Sequence, residues 1–187
     1  IGHNPFVACN NLSSVVCRSP HFKVIDKMLL TSDGKRLISY WGEEKVVNVP
    51  QGVKSIGDDA FSSCYDLTSI TLPQGVKSIG DKAFSWCEAL TSITLPQGVE
   101  SIGNGAFCYC YDLTSITLPQ GIESIGDYAF YECEALTSIT LPQGVKSIGE
   151  RAFYECYTLT SIRIPKGTLA HFQRILPSNL HKIIREY

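Results

Sequence analysis

One segment of the chain returns along its length. Ile79 to Ser101, read IGDKAFSWCEALTSITLPQGVES, recurs with few changes from Ile56, Ile102 and Ile125, and from Ile148 until the pattern changes after Pro165. The spacing is strict: Leu67, Leu90, Leu113, Leu136 and Leu159 stand 23 residues apart, as do Cys64, Cys87, Cys110, Cys133 and Cys156. A fixed period of roughly 20–50 residues marks a stacked-repeat architecture, in which each unit lacks walls that its neighbours supply. A single unit buries too little apolar surface to offset backbone ordering of roughly 1–2 kcal/mol per residue. The array therefore gains stability by stacking, until special terminal segments close it.

Within a unit, LTSITLP alternates, so that Ile70 and Leu72 face one way and Ser69 and Thr71 the other, the period-2 signature of a strand. Pro73-Gln74-Gly75 turns the chain, because proline cannot extend a central ladder and glycine tolerates sharp turns. Val76 and Ile79 return inward. Gly80-Asp81 reads as a helix entry with the aspartate capping free N–H groups, and Ala83, Phe84 and Cys87 share one helical face, although only about one turn fits.

The first repeats are degenerate. Ile1-Gly2 and Phe6 match Ile56-Gly57 and Phe61, Cys9 matches Cys64, Leu12 matches Leu67, Val15 matches Ile70, and Cys17 falls in a leucine slot. The next strand start falls at Glu44, 32 residues after Leu12, and FKVIDKMLLTSDGKRLISYW between them reads as a β-hairpin turning at Asp33-Gly34. Seven strands are expected, starting at 12, 44, 67, 90, 113, 136 and 159. After Pro165, Thr168 is placed to cap a helix carrying Leu169, Phe172 and Leu176, stopped at Pro177, with LHKIIREY as a last strand. The organisation expected is an array over 1–165, with a hairpin-bearing repeat at about 18–43, and a C-terminal cap over 166–187.

The run IGxxAFxxCxxLxxIxLPxxV across Ile56 to Pro165 strongly resembles the BspA-like, treponemal-type leucine-rich-repeat family. Val24-Ile25-Asp26, Asp33-Gly34-Lys35 and the ending IPKGTLAHFQRILP are similar to its accessory elements. The resemblance implies an α/β right-handed solenoid, with parallel strands on the concave face, short helices opposite, one inserted hairpin and a helical cap. It also implies a cell-surface or secreted protein of a host-associated microbe, with members linked to adhesion and to host matrix proteins. The family has no shared catalytic residues to carry over.

Composition narrows the function further. With 16 basic against 18 acidic residues the net charge is -2, which gives no electrostatic footprint for neutralising many phosphates, so nucleic acid is not an expected partner. No stretch approaches the roughly 20 apolar residues that span a bilayer, so membrane insertion is not expected. The chain opens at Ile1-Gly2-His3-Asn4-Pro5 and reads as a mature or trimmed fragment. Of the eight cysteines only Cys108-Tyr109-Cys110 forms a close pair, and no second pair accompanies it as a metal site would require. The ladder cysteines are expected as buried free thiols, since helical turns roughly 10 Å across would hold neighbours beyond the ~7 Å reach of a disulfide. Cys108 is the thiol expected to be reachable. His3, His21, His171 and His181 form no ligand pair, Gly103-Asn104-Gly105 repeats the entry turn rather than a phosphate loop, and Asn11-Leu12-Ser13 fits the glycosylation pattern only as a lone match.

Without an acid/base pair, a nucleophile constellation, a cofactor motif or a metal motif, an enzyme is not expected. Two surfaces are candidates for binding. The outward strand positions form a ladder of Ser69/Thr71, Ser92/Thr94, Ser115/Thr117 and Ser138/Thr140 ending at Arg163, which equally suits a plain solvated β surface. The other candidate is where the copies differ: Ser63, Trp86, Tyr109, Glu132 and Glu155 in one row, Tyr65, Glu88, Tyr111, Glu134 and Tyr157 in the next. Exposed aromatics are favoured contact residues, which singles out Trp86, Tyr109, Tyr65, Tyr111 and Tyr157. The expected partner is a protein, with host matrix or surface proteins first and glycans second; a structural spacer in a larger surface protein is the alternative.

Overall fold

The structure is a computed structural model that describes residues 4–7, 9 and 12–187. The readings placed on Ile1, Gly2, His3 and Asn11 fall outside the described residues. An antiparallel meander comes first, β1 (Phe22–Ile25), β2 (Met28–Thr31) and β3 (Arg36–Tyr40). Its first turn uses Asp26 and Lys27, both at positive φ (47° and 58°), the pairing a two-residue hairpin loop requires. The second turn passes Asp33 and Gly34.

Each following unit contributes two strands. The sequence-legible SIT strand appears as β4 (Val46–Asn48), then β6 (Ser69–Thr71), β8 (Ser92–Thr94), β10 (Ser115–Thr117), β12 (Ser138–Thr140) and β14 (Ser161–Ile164). Between them lie two-residue strands after the Pro-Gln-Gly corner: β5 (Ser55–Ile56), β7 (Ser78–Ile79), β9 (Ser101–Ile102), β11 (Ser124–Ile125) and β13 (Ser147–Ile148). The chain closes with α1 (Leu169–Ile175), a 3₁₀ turn at Ser178–Ile183 and β15 (Ile184–Glu186), which lies parallel to β14. The Thr168 hydroxyl does not cap α1; it donates to the Pro165 carbonyl.

Seven parallel strands thus form the SIT side, hydrogen-bonded in the groups β4-β6, β8-β10 and β12-β14-β15. The short strands continue from β3 into one eight-stranded sheet, β1-β2-β3-β5-β7-β9-β11-β13. The strand expected from Leu12 does not form. Residues 12–19 carry no strand, and Leu12 and Val15 pack with Phe6 against Leu29, Ile38 and Trp41 on the outer face of the meander. The meander, not an N-terminal repeat, adjoins the first regular unit, since β3 already pairs with β5. The seventh strand is supplied at the other end, by β15.

Opposite the strands the expected short helices are absent, and this side is a ladder of turns. Lys82, Phe84 and Trp86 donate their N–H groups forward to the carbonyls of Asn104, Ala106 and Cys108 in the next unit at 2.8, 2.8 and 2.9 Å. The alternate residues Ala83, Ser85 and Cys87 donate back to Gly80, Lys82 and Phe84 at 3.3, 3.0 and 3.2 Å. Two residues per unit take left-handed backbone to direct these groups alternately, for example Lys82 (φ 52°) and Trp86 (φ 61°). An α-helix is excluded because adjacent units here are spaced at about one strand separation, whereas a helix with side chains is roughly 10 Å across. Phe61, Phe84, Phe107, Phe130 and Phe153 record that spacing: their rings stack with centroids 5.2, 5.2, 5.5 and 5.4 Å apart and planes within 7°.

The first four of these rings are fully buried in one continuous core that runs from Met28 to Ile184. The tight spacing explains the glycine that opens each turn segment. A Cβ at Gly103 would lie 2.6 Å from the backbone nitrogen of Asp81, and at Gly126 2.7 Å from that of Asn104. Gly103→Ala should therefore lower the urea-unfolding free energy by about 1–3 kcal/mol through overpacking against backbone that cannot yield. Lys82→Gly should instead leave stability unchanged or raise it by up to about 1 kcal/mol. The change relieves a left-handed L-residue costing about 1–2 kcal/mol and concedes about 0.5–1 kcal/mol of glycine entropy; Gly105 already occupies the matching place at φ 58°.

Candidate interaction surfaces

The strand side carries the expected hydroxyl rows in register, Ser92 beside Ser115 and Thr94 beside Thr117, with Ser69, Thr71, Ser138 and Thr140 likewise exposed. At its end Arg163 lies over the Tyr187 ring, 5.4 Å from the centroid. A further threonine row just before the strands is structural: the hydroxyls of Thr68, Thr91 and Thr114 donate to the carbonyls of Lys45, Thr68 and Thr91 at 2.9, 3.4 and 3.0 Å.

The turn side explains why the copies diverge where they do. Ser63, Trp86, Tyr109, Glu132 and Glu155, one entire variable row, all sit at φ between 55° and 62°. Asp59, Lys82, Tyr128 and Arg151 form a second left-handed row with Gly105. Bulky residues are rare in this conformation, and here the forward hydrogen bonds hold them in it. In the core-facing slots, Phe84, Phe107 and Phe130 do not change between copies.

These rows assemble the aromatics into one cluster. The Trp86 and Tyr109 rings stack with centroids 4.1 Å apart, and Tyr111 meets both edge-on at 6.1 and 6.2 Å. Tyr131, Tyr128 and Tyr154 extend it: Tyr131 meets Tyr109 at 5.2 Å and Tyr128 at 5.7 Å edge-on, and stacks on Tyr154 at 6.0 Å. Arg151 stands over the rings of Tyr128 and Tyr154 at 5.8 and 5.6 Å and donates to the Tyr128 hydroxyl at 3.2 Å. Tyr65 and Tyr157, although exposed, make none of these ring contacts. Sequence reasoning missed Tyr128, Tyr131 and Tyr154. For Tyr131 and Tyr154 the signal was present in the row Ser62, Ser85, Cys108, Tyr131 and Tyr154, which changes from small to aromatic along the array.

That change in size shapes a groove of about 640 Å³, within the range of small-ligand sites. Ser85, Gly105 and Cys108 leave space where neighbouring units carry tyrosines, and the aromatic Trp86, Tyr109 and Tyr131 share the lining with Asp81, Asn104 and Asp127. Asp81, Asn104 and Asp127 form a rung ladder: Asp81 Oδ1 accepts from Asn104 N–H at 2.7 Å, Asn104 Oδ1 from Asp127 N–H at 2.8 Å, and Asp127 Oδ1 from Glu150 N–H at 2.7 Å. The aspartate read as a helix cap thus secures the next unit's backbone. Acidic surroundings are felt by the phenols. Tyr131 is pushed above its ordinary value first by hydrogen bonding to Glu132, and Tyr109 and Tyr111 first by desolvation and then by Glu132.

All eight cysteines are free, but spacing on its own does not explain it. Units only about 5 Å apart put neighbouring Cα atoms inside the disulfide window; parallel stacking repeats the Cβ atoms at that same interval, longer than the roughly 3.8 Å a bridge needs. The thiols bond to backbone instead, Cys87, Cys110, Cys133 and Cys156 donating to the carbonyls of Phe61, Phe84, Phe107 and Phe130 at 3.2, 3.2, 3.1 and 3.0 Å. Cys108, expected to be reachable, is buried against the Ser85 hydroxyl at 3.1 Å, because the turn side folds it under Gly105; the exposed thiol is Cys9. Among the described residues no cluster of His, Cys, Asp or Glu could hold a metal ion. The imidazoles of His171 and His181 lie against the backbone carbonyls of Val145 and Leu176, at 2.7 and 3.0 Å.

Residues 54–183 match the model of the BspA-type leucine-rich-repeat region in six copies. The chain belongs to the BspA-type leucine-rich-repeat family. Among solved structures it is similar to the T. pallidum leucine-rich-repeat protein TpLRR, at 34% identity and TM-score 0.68 over 79% of this chain and 70% of that one. A leucine-rich cell surface protein from Faecalibacterium prausnitzii is 26% identical at TM-score 0.53, over 78% and 55% of the two chains. The pneumococcal vaccine antigen PcpA, 24% identical at TM-score 0.53 over 77% and 30%, shows the shared fold. No curated protein sequence matches the chain. Membership makes this a binding or scaffold repeat domain, in a family that is generally non-catalytic. No helix among the described residues is long and apolar enough to cross a membrane.

Burial pushes the thiols of Cys87, Cys110, Cys133 and Cys156 up, Cys156 to about 12. An unfolded thiol titrates near about 8.5, so the folded BspA-type array binds more protons above that pH and loses stability as pH rises from there toward 12. Urea midpoints measured across that interval should fall, and a Cys156→Ala variant should show a shallower decline.

Proposed function

We propose that this BspA-type domain is a cell-surface or secreted protein-binding module that engages a host matrix or surface protein through its turn side. The observation that carries the reading is the aromatic cluster of Trp86, Tyr109, Tyr111 and Tyr131, gathered on positions where the copies differ and beside an open groove. Large aromatic anchors dominate protein interfaces, whereas single exposed hydroxyls contribute modest hydrogen bonds of about 0.5–1.5 kcal/mol. A surface location is supported by the F. prausnitzii relative, described as a cell surface protein.

The test is a binding screen on immobilised host extracellular-matrix and surface proteins, followed by affinity measurements on variants. Trp86→Ala and Tyr109→Ala should each weaken the best binder by about 1–2 kcal/mol or more with the fold intact, since neither ring lies in the core. Thr94→Ala should leave affinity nearly unchanged. Loss confined to the threonine variant would move the site to the strand side, and a screen without any binder would favour a spacer.

A further inference from the structure

The groove on the turn side is lined by two unlike kinds of residue, and together they define a chemistry. Trp86, Tyr109 and Tyr131 present ring surface, while Asp81 and Asp127 present carboxylates whose fixed positions come from their backbone bonds to the following units. Lys82 is the one cation among the lining residues. Beyond the groove Glu132 and Glu155 add to the negative field; Tyr131 donates to Glu155 at 3.2 Å. Ring faces attract cations through their quadrupole, most often the planar guanidinium, which can pair with a carboxylate at the same time. The chain itself shows the stacking half of this at the groove's rim, where Arg151 lies over Tyr128, a lining residue, and over Tyr154.

Building on the turn-side reading above, we propose that the groove takes an arginine side chain presented by the protein partner, its guanidinium lying against the face of Trp86 that the stacked Tyr109 leaves free, and paired with Asp81 or Asp127. Small residues at Ser85, Gly105 and Cys108 give the side chain depth to enter. The partner surface is therefore basic, and arginine is required over lysine because an ammonium cannot stack and fork at once.

The probe is a short blocked peptide, acetyl-Gly-Ser-Arg-Gly-Ser-amide, with versions carrying lysine or citrulline, the latter an uncharged analogue of similar shape. Binding is followed by NMR at the indole N–H of Trp86, with buried Trp41 as the internal reference among two tryptophans. The arginine peptide should shift the Trp86 signal saturably, and the citrulline peptide should bind roughly tenfold more weakly. Asp81→Asn combined with Asp127→Asn should weaken the arginine peptide roughly fivefold or more. These changes keep the backbone acceptor, as Asn104 already does on the same ladder. Equal binding of the lysine or citrulline peptide, an unmoved Trp86 signal, or an undiminished Asn variant would each overturn the assignment. A screened partner that depends on Trp86 and Tyr109 yet ignores the double Asn variant overturns the arginine assignment and leaves the docking side standing. One that ignores Trp86 and Tyr109 overturns both.

Discussion

Every other feature rests on the backbone hydrogen bonds that tie each unit to the next around the whole perimeter. The SIT strands pair in register, as Ile93 with Ile116, the short strands as Ile79 with Ile102, and the turns as Phe84 N–H with the Ala106 carbonyl. Because these bonds fix the layer spacing, each residue type recurs directly above itself. Like then packs on like. The phenylalanine rings become a parallel stack, the thiols find the carbonyl of the preceding unit's phenylalanine, and the entry glycines are held where no Cβ fits.

The same constraint separates what must repeat from what is free to vary. Inward slots see an identical neighbour on each side, so a change in one copy disturbs three layers. Outward slots on the turn side see solvent, and their left-handed backbone is maintained by the forward bonds whatever the side chain. Strained backbone that persists because its surroundings over-determine it is found at functional positions. Here it aims tryptophan, tyrosine and glutamate outward in neighbouring layers, so that single-residue differences between copies add up to one aromatic and acidic patch.

The period, the SIT strand and the inward leucines, isoleucines and phenylalanines were legible because stacking demands them in every copy. The turn side was misread for a definite reason. Ala83, Phe84 and Cys87 face the core together in a turn ladder as they would in a helix, so their spacing cannot tell the two apart. The Ser-Ile strands were passed over because two residues show no alternation to read. Of the aromatic patch, Trp86, Tyr109 and Tyr111 stood out in the sequence, whereas Tyr131 lies in a row that holds only small serine or cysteine in earlier copies, so nothing in those copies marks it as a contact position.

What the sequence by itself determined is the repeat and its inward face, since a 23-residue period with invariant apolar slots has no other way to bury them. What only the tertiary structure decided is which hydrogen bonds the turn residues make, locally or to the next layer. That choice depends on the layer spacing, a property of neighbouring copies together. It sets the left-handed conformations, buries Cys108, leaves the thiols unbridged and brings rings from successive units to within 4–6 Å. Those distances are relations across layers, and no single unit of sequence contains them.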